Sequence, residues 1–385
     1  MLDVLVAWMD FSFPKEKLMK IVSCVVFLAL SAFLFLSFSA HGDEARGPAR
    51  LTLSNVSAPP AISADEPLAK EFSLIQASRY LDRSSLHWQK ERKCGTCHTN
   101  FAYLMARPAL TPLSKQAPEV RPFFEDMVQV RWKEKGPRWD AEVVAAATTL
   151  AFNDRTTTGE LHPATRTALE RMATIQREDG GWDWLKCGWP PFESDDHFGV
   201  TFAALGVGVA PENYDESEIG RKTLDGIRKY LEAHSPPTLH HRAMLLWSSL
   251  HVEDLMSKPE REETLADLFD LQLSDGGWAI AALIENWKEH SRKDDKPQDT
   301  KTSDGYATGL IVFLARQAGV SREDPRIQRG VQWLKMNQRE SGRWFTRSPT
   351  KDSRHFITNA GTAFAVMALA ACGEVPAASI RRAEF

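Results

Sequence analysis

Three short segments of this chain spell one pattern: "QREDGGW" at 176–182, "QLSDGGW" at 272–278 and "QRESGRW" at 338–344. Each is a Gln, a Gly four residues later and a Trp two beyond that. A turn that recurs at long spacing marks stacked supersecondary units. Each copy closes an amphipathic stretch with apolar residues at helical spacing. Leu169, Met172 and Ile175 precede the first, Leu265, Leu268 and Leu271 the second, and Ile327, Val331 and Leu334 the third. The Gly predicts a left-handed helix stop. The Trp is then free to fold back over the helix end, with the Gln bridging to the next turn.

A second pattern follows each copy. "SDDHFGVTFAALGVGVA" (194–210), "SDGYATGLIVFLARQAG" (303–319) and "TNAGTAFAVMALAACG" (358–373) each open on a polar residue and continue apolar nearly all round. Such helices are buried on every side. Segments 97–110, 138–152 and 239–252 fit the same plan more loosely. The result is six inner helices, each with an outer amphipathic partner, of which the first (71–90) is the least regular. The expected fold is all-α, an α6/α6 toroid whose inner helix starts share one mouth. An open α-solenoid uses similar pairs without closing.

The chain has 385 residues and a net charge of −4, which gives no electrostatic case for nucleic acid. Lys15, Lys17 and Lys20 precede an apolar run from Ile21 to Phe38, and Ala40 and Gly42 are small residues suited to cleavage. Residues 1–42 therefore read as a signal peptide, with Met19 an alternative start, or as a retained anchor that would hold the protein at a membrane. The expected location is periplasmic or extracytoplasmic. Residues 43–70 read as a flexible leader, 71–376 as the helical domain and 377–385 as a tail.

The repeats resemble the QW motifs of the squalene–hopene cyclase family and of the related prenyltransferase toroids, over roughly residues 71–373. The resemblance implies an apolar isoprenoid substrate inside the toroid. It also implies a D-x-D-D-like acid motif at Glu193-Ser194-Asp195-Asp196, with Asp195 as proton donor, Glu193 and Asp196 as flanking supports, and His197, His240 or His241 to orient the proton. Such an acid must hold its proton and still release it, which burial and neighbouring carboxylates tune. Two details differ from the family pattern: Glu replaces the first Asp, and His197 follows where Thr is usual. From the residues alone, Ser194, Asp195 and Asp196 also suit a helix N-cap. Nearby aromatics, among them Trp184, Trp189, Phe192 and Tyr306, suit either a cationic intermediate or plain core packing.

One motif stands outside this scheme. Cys94-Gly95-Thr96-Cys97-His98 has the spelling of c-type haem attachment, with His98 as axial ligand and Met105, His240 or His241 as candidate sixth ligands. Zinc held by Cys94, Cys97 and His98 is the alternative. A Cys94–Cys97 disulfide is the third reading, given an oxidising compartment. The function expected is acid-initiated cyclisation or isomerisation. The alternative is an exported haem- or zinc-bearing module without cyclase activity.

Overall fold

The computed structural model describes residues 50–284 and 292–376. The expected export segment (1–42), the first part of the leader and the tail at 377–385 lie outside the described residues. Those described are all-helical, and no helix among them is long and apolar enough to cross a membrane.

The helices alternate in character. The odd-numbered ones are α1 (Leu74–Arg92), α3 (Val120–Asp126), α5 (Pro163–Thr174), α7 (Glu218–Ala233), α9 (Lys258–Asp270) and α11 (Pro325–Met336). Most bury one stripe and are capped by short polar side chains, as where the Ser217 and Ser257 hydroxyls accept from the third residue of their helices. The even-numbered ones are α2 (Ala102–Ala106), α4 (Asp140–Thr157), α6 (Asp196–Val209), α8 (Leu239–Ser249), α10 (Gly305–Gln317) and α12 (Ile357–Ala371). A π turn, Cys97–Phe101, leads into α2, and a 3₁₀ turn, Arg107–Leu110, follows it. The even helices are buried almost throughout, and α4, α6, α10 and α12 are rich in Ala, Gly, Thr and Val. Each packs on the next: α2 on α4, α4 on α6, α6 on α8, α8 on α10 and α10 on α12. The order of neighbours then returns to its start, because α12 packs on α2.

The three repeated turns behave alike. Trp182, Trp278 and Trp344 are fully buried. Each indole N–H donates to a carbonyl in the helix just left: Met172, Leu268 and Leu334. Each Gln side chain donates both to its own turn and to the next odd helix or its cap: Gln176 to Thr223, Gln272 to Arg326 and Gln338 to Ser73. The last of these joins the end of α11 to the N-cap of α1. The first Gly of each turn is held at φ near +90°, and its absent Cβ leaves room for the neighbouring backbone. A Cβ on Gly342 would stand 2.3 Å from the Gln76 carbonyl. No copy follows α7, and there α7, α8 and α9 leave a groove of about 710 Å³.

The part of the leader that is described, from residue 50, makes specific contacts with the helical domain. Val56 is buried. Arg343, fully buried, donates to the Pro60 and Ala61 carbonyls and pairs with Glu66. Ala69 N–H donates to the Gln338 carbonyl at 2.7 Å. Residues 60–69 are therefore strapped over the third turn. The physical reason is the third repeat's Arg343, which stands where the other copies have Gly181 and Gly277.

Candidate functional site

The starts of the even helices are linked side chain to side chain. Asp195 caps α6, accepting from Phe198 N–H at 3.1 Å. Its carboxylate also meets His241 Nε2, near the start of α8, at 3.0 and 3.1 Å. Thr238 caps α8 and sits 2.8 Å from His241 Nδ1. Because the Thr238 oxygen accepts from His241 N–H, its hydroxyl is free to donate to Nδ1, which puts a ring proton on Nε2 facing Asp195. His240 Nε2 meets the Tyr306 hydroxyl of α10 at 2.8 Å. Asn359 of α12 donates to Thr99 at the entry to α2 and accepts from Tyr80 of α1. Asp140 of α4 accepts from Asp183 N–H at 3.3 Å, and Arg177 ties Asp183 to Asp196.

The four acid-motif residues fall into different environments. Asp196 is fully engaged: Arg177 and Lys186 pair with it, and Trp184 N–H donates to it. Asp195 is pushed up by burial, but the His241 hydrogen bond and charge and the Phe198 N–H outweigh that and hold it below the usual carboxylate range. His197 is buried with both ring nitrogens unpartnered among the described residues, and burial lowers it to about 3. Glu193 belongs to a small hairpin in which its N–H donates to Trp189 and its carbonyl accepts from Trp189 and Cys187. Its carboxyl makes no hydrogen bond among the described residues, and burial alone pushes it up. Asp304, the cap of α10, is buried and raised to about 7 despite donors from Ile280, Tyr306, Ala307 and Thr346.

Two cavities adjoin these residues. One, of about 170 Å³, is lined by Glu193, Trp189, Pro190 and Phe192 from the hairpin, by His98, and by Ser348, Arg354, Phe356 and Ile357. The other is lined by Cys97, Phe101, Ala102, Met105, Phe192, Phe198, Phe202, Met244, Trp247 and Phe364 and encloses about 20 Å³, room for about one water molecule. At this point the apolar interior is closely packed by its own side chains. Trp189, Phe192 and Phe356 face the larger cavity instead.

His98 connects the cysteine motif to the first cavity. Its ring stacks on Phe356 at 5.2 Å and meets Trp88 edge-on. Among the described residues its nitrogens reach only the Thr96 and Thr99 hydroxyls, and burial lowers it to about 4, so it is neutral near pH 7. Cys94 and Cys97 are free thiols. Burial, with a smaller push from Glu193, raises the Cys97 thiol, so it stays protonated. The donor set of two thiols and a neutral imidazole suits haem attachment. The space does not: about 170 Å³ lies below the ~300 Å³ at which cofactor-sized pockets begin. For zinc, no group of three or more His, Cys, Asp or Glu among the described residues is gathered to hold a metal ion. Arg354, Ser348 and Phe356 carry no sequence motif, and nothing but the fold brings them to Glu193.

No family model matches this chain, and no curated protein matches it.

Proposed function

We propose that the chain is an α/α toroid of the cyclase-like kind that carries out acid–base chemistry on a small, largely apolar molecule, with Glu193 as the acid. The closed order of the even helices and the Gln338 link from α11 back to the cap of α1 support the toroid. The observation that carries the chemistry is Glu193 itself: a half-buried carboxyl without a hydrogen-bond partner, pushed up by burial, on the wall of a 170 Å³ cavity. Burial favours the protonated form of such a carboxyl, and no hydrogen-bond donor among the described residues favours the ionised form. In the step proposed, the π pair of a polarised alkene takes the Glu193 proton. A C–H bond forms, the acid O–H breaks and a cation results. The faces of Trp189, Phe192 and Phe356 stabilise it. The resulting Glu193 carboxylate, or neutral His98, removes a proton from the neighbouring carbon, and when Glu193 takes it back the sum is an isomerisation. Asp195 and His241 serve instead to join the starts of α6 and α8.

The test is proton exchange. The protein is incubated in deuterium oxide with a panel of ring-sized alkenes, charged and uncharged, and the products are read by mass spectrometry. Deuterium uptake that Glu193→Gln suppresses and Asp195→Asn spares supports the reading. Uptake that follows Asp195 and ignores Glu193 contradicts it.

A second reading, an exported c-type haem protein without this chemistry, is favoured by the C-x-x-C-H donor set and opposed by the space beside His98. Co-expression with haem-maturation machinery, followed by a pyridine haemochrome spectrum, decides it. A covalent haem absent from Cys94→Ala and Cys97→Ala would establish that reading, and a spectrum without a Soret band would remove it.

A further inference from the structure

The cations around the Glu193 cavity are distributed unevenly. Asp294 and Asp352, the carboxylates of this surface, are already committed: Arg292 pairs with both, and Arg347 and Lys296 pair with Asp352. Arg354 is exposed, lines the cavity, and has no ion pair or side-chain hydrogen bond among the described residues. Lys293 and Lys351 find no carboxylate there either. Their ammonium groups lie 5.3 and 5.5 Å from the centre of the Trp189 ring, and Lys293 also donates to the Cys187 carbonyl. A guanidinium presents a planar fork of donors suited to a carboxylate or phosphate. The opposing walls of the cavity are flat and apolar: Trp189, Phe192 and Phe356. Its volume, about 170 Å³, is close to the ~150 Å³ of an engineered cavity that takes benzene.

We infer that this cavity recognises a ring-sized organic anion, its carboxylate or phosphate held by Arg354 and its flat body held among Trp189, Phe192 and Phe356. The inference names the ligand class of the site proposed above and rests on that reading for its chemistry, though not for its binding. Anion and acid reinforce each other: a negative group bound beside Glu193 disfavours a second negative charge and so favours the protonated acid. Lys293 and Lys351 form an outer pair that draws the anion toward the hairpin.

The experiment is calorimetric titration of the full chain with four probes: benzoate, phenyl phosphate, benzyl alcohol and inorganic phosphate. Benzoate or phenyl phosphate is expected to bind at least about tenfold tighter than benzyl alcohol, a difference of about 1.4 kcal/mol. Whichever of the two binds tighter names the head group. Arg354→Gln, at an exposed position that does not threaten the fold, is expected to erase that preference and leave benzyl alcohol unchanged. Equal binding of charged and uncharged rings overturns the inference, and so does a preference that survives Arg354→Gln. Inorganic phosphate binding as tightly as phenyl phosphate overturns the part played by the ring. Charge-selective binding in a protein whose Glu193→Gln variant still exchanges deuterium would leave the anion site standing and remove Glu193 from the chemistry.

Discussion

Glu193 and Asp195 are two residues apart, and their carboxyl groups stand in opposite situations. Asp195 is met by an imidazole and a backbone N–H and is held below the usual range. Glu193 meets no donor among the described residues and is pushed above it. Both are part-buried, so burial alone does not separate them; the number of donors does. The Asp195 carboxylate, with its donors, is structural, joining α6 to α8. Glu193, without donors, is shifted toward its protonated form and faces a cavity. The nearby imidazoles divide in the same way. His241 has a partner on each nitrogen, whereas both nitrogens of His197 are buried and unpartnered among the described residues.

The largest effect expected on breaking this contrast is on catalysis. Glu193→Gln removes the acid and keeps the shape, and turnover is expected to fall by about 10²–10⁴, the usual range for a general acid. Asp195→Asn is expected to stay within about tenfold, since it disturbs only the join between α6 and α8. Steady-state rates of the two variants on one substrate check this. Wild-type kcat/KM should also fall as pH rises through the raised Glu193 pKa, because the protonated form is the active one, and Glu193→Gln should lose that limb.

The motif lettering pointed to Asp195, and the reason it did so is instructive. E-S-D-D can be read along the chain, but the environment of Glu193 is assembled from His98, Ser348, Arg354 and Phe356, which no local pattern connects to it. The fold was far more legible. The Gln, Gly and Trp of each repeat act within one turn and on the next helix, so their roles follow from spacing. The contacts of residues 60–69 with the third turn escaped the sequence reading, because 43–70 is polar and proline-bearing. The signal that could have corrected it was Arg343, a lone departure from Gly at one position of an otherwise regular turn.

A smaller effect is expected on stability. His241→Leu takes the main donor from Asp195, whose side chain is 26% exposed. That partial exposure reduces the cost of a stranded charge to about 1–2 kcal/mol, to be read from urea unfolding at pH 7. The same change made in Asp195→Asn should cost clearly less, since no charge is then left unpartnered.

The smallest effect concerns His197. Its two unpartnered nitrogens contribute nothing at neutral pH, so His197→Leu should be neutral or stabilising within about 1 kcal/mol. The sign of its pH dependence is definite. The native ring titrates at about 3 against 6.5 for the unperturbed group, so between those values the unfolded chain binds the extra proton. Stability is therefore lost as pH falls below about 6.5, by up to about 1.4 kcal/mol per pH unit from this residue. His197→Leu should flatten the decline by that amount. A variant that unfolds along the wild-type pH curve would show that His197 is not buried neutral.

The contrast between the two carboxyls can be measured directly. Carbon-13 NMR of the side-chain carboxyls, assigned with Glu193→Gln and Asp195→Asn and followed from acid to neutral pH, reports both groups in one sample. Glu193 should titrate above about 4.3 and Asp195 below about 3.9, their unperturbed values. An Asp195 that keeps its proton to higher pH than Glu193 would contradict the account and return the acid to the position that the motif first suggested.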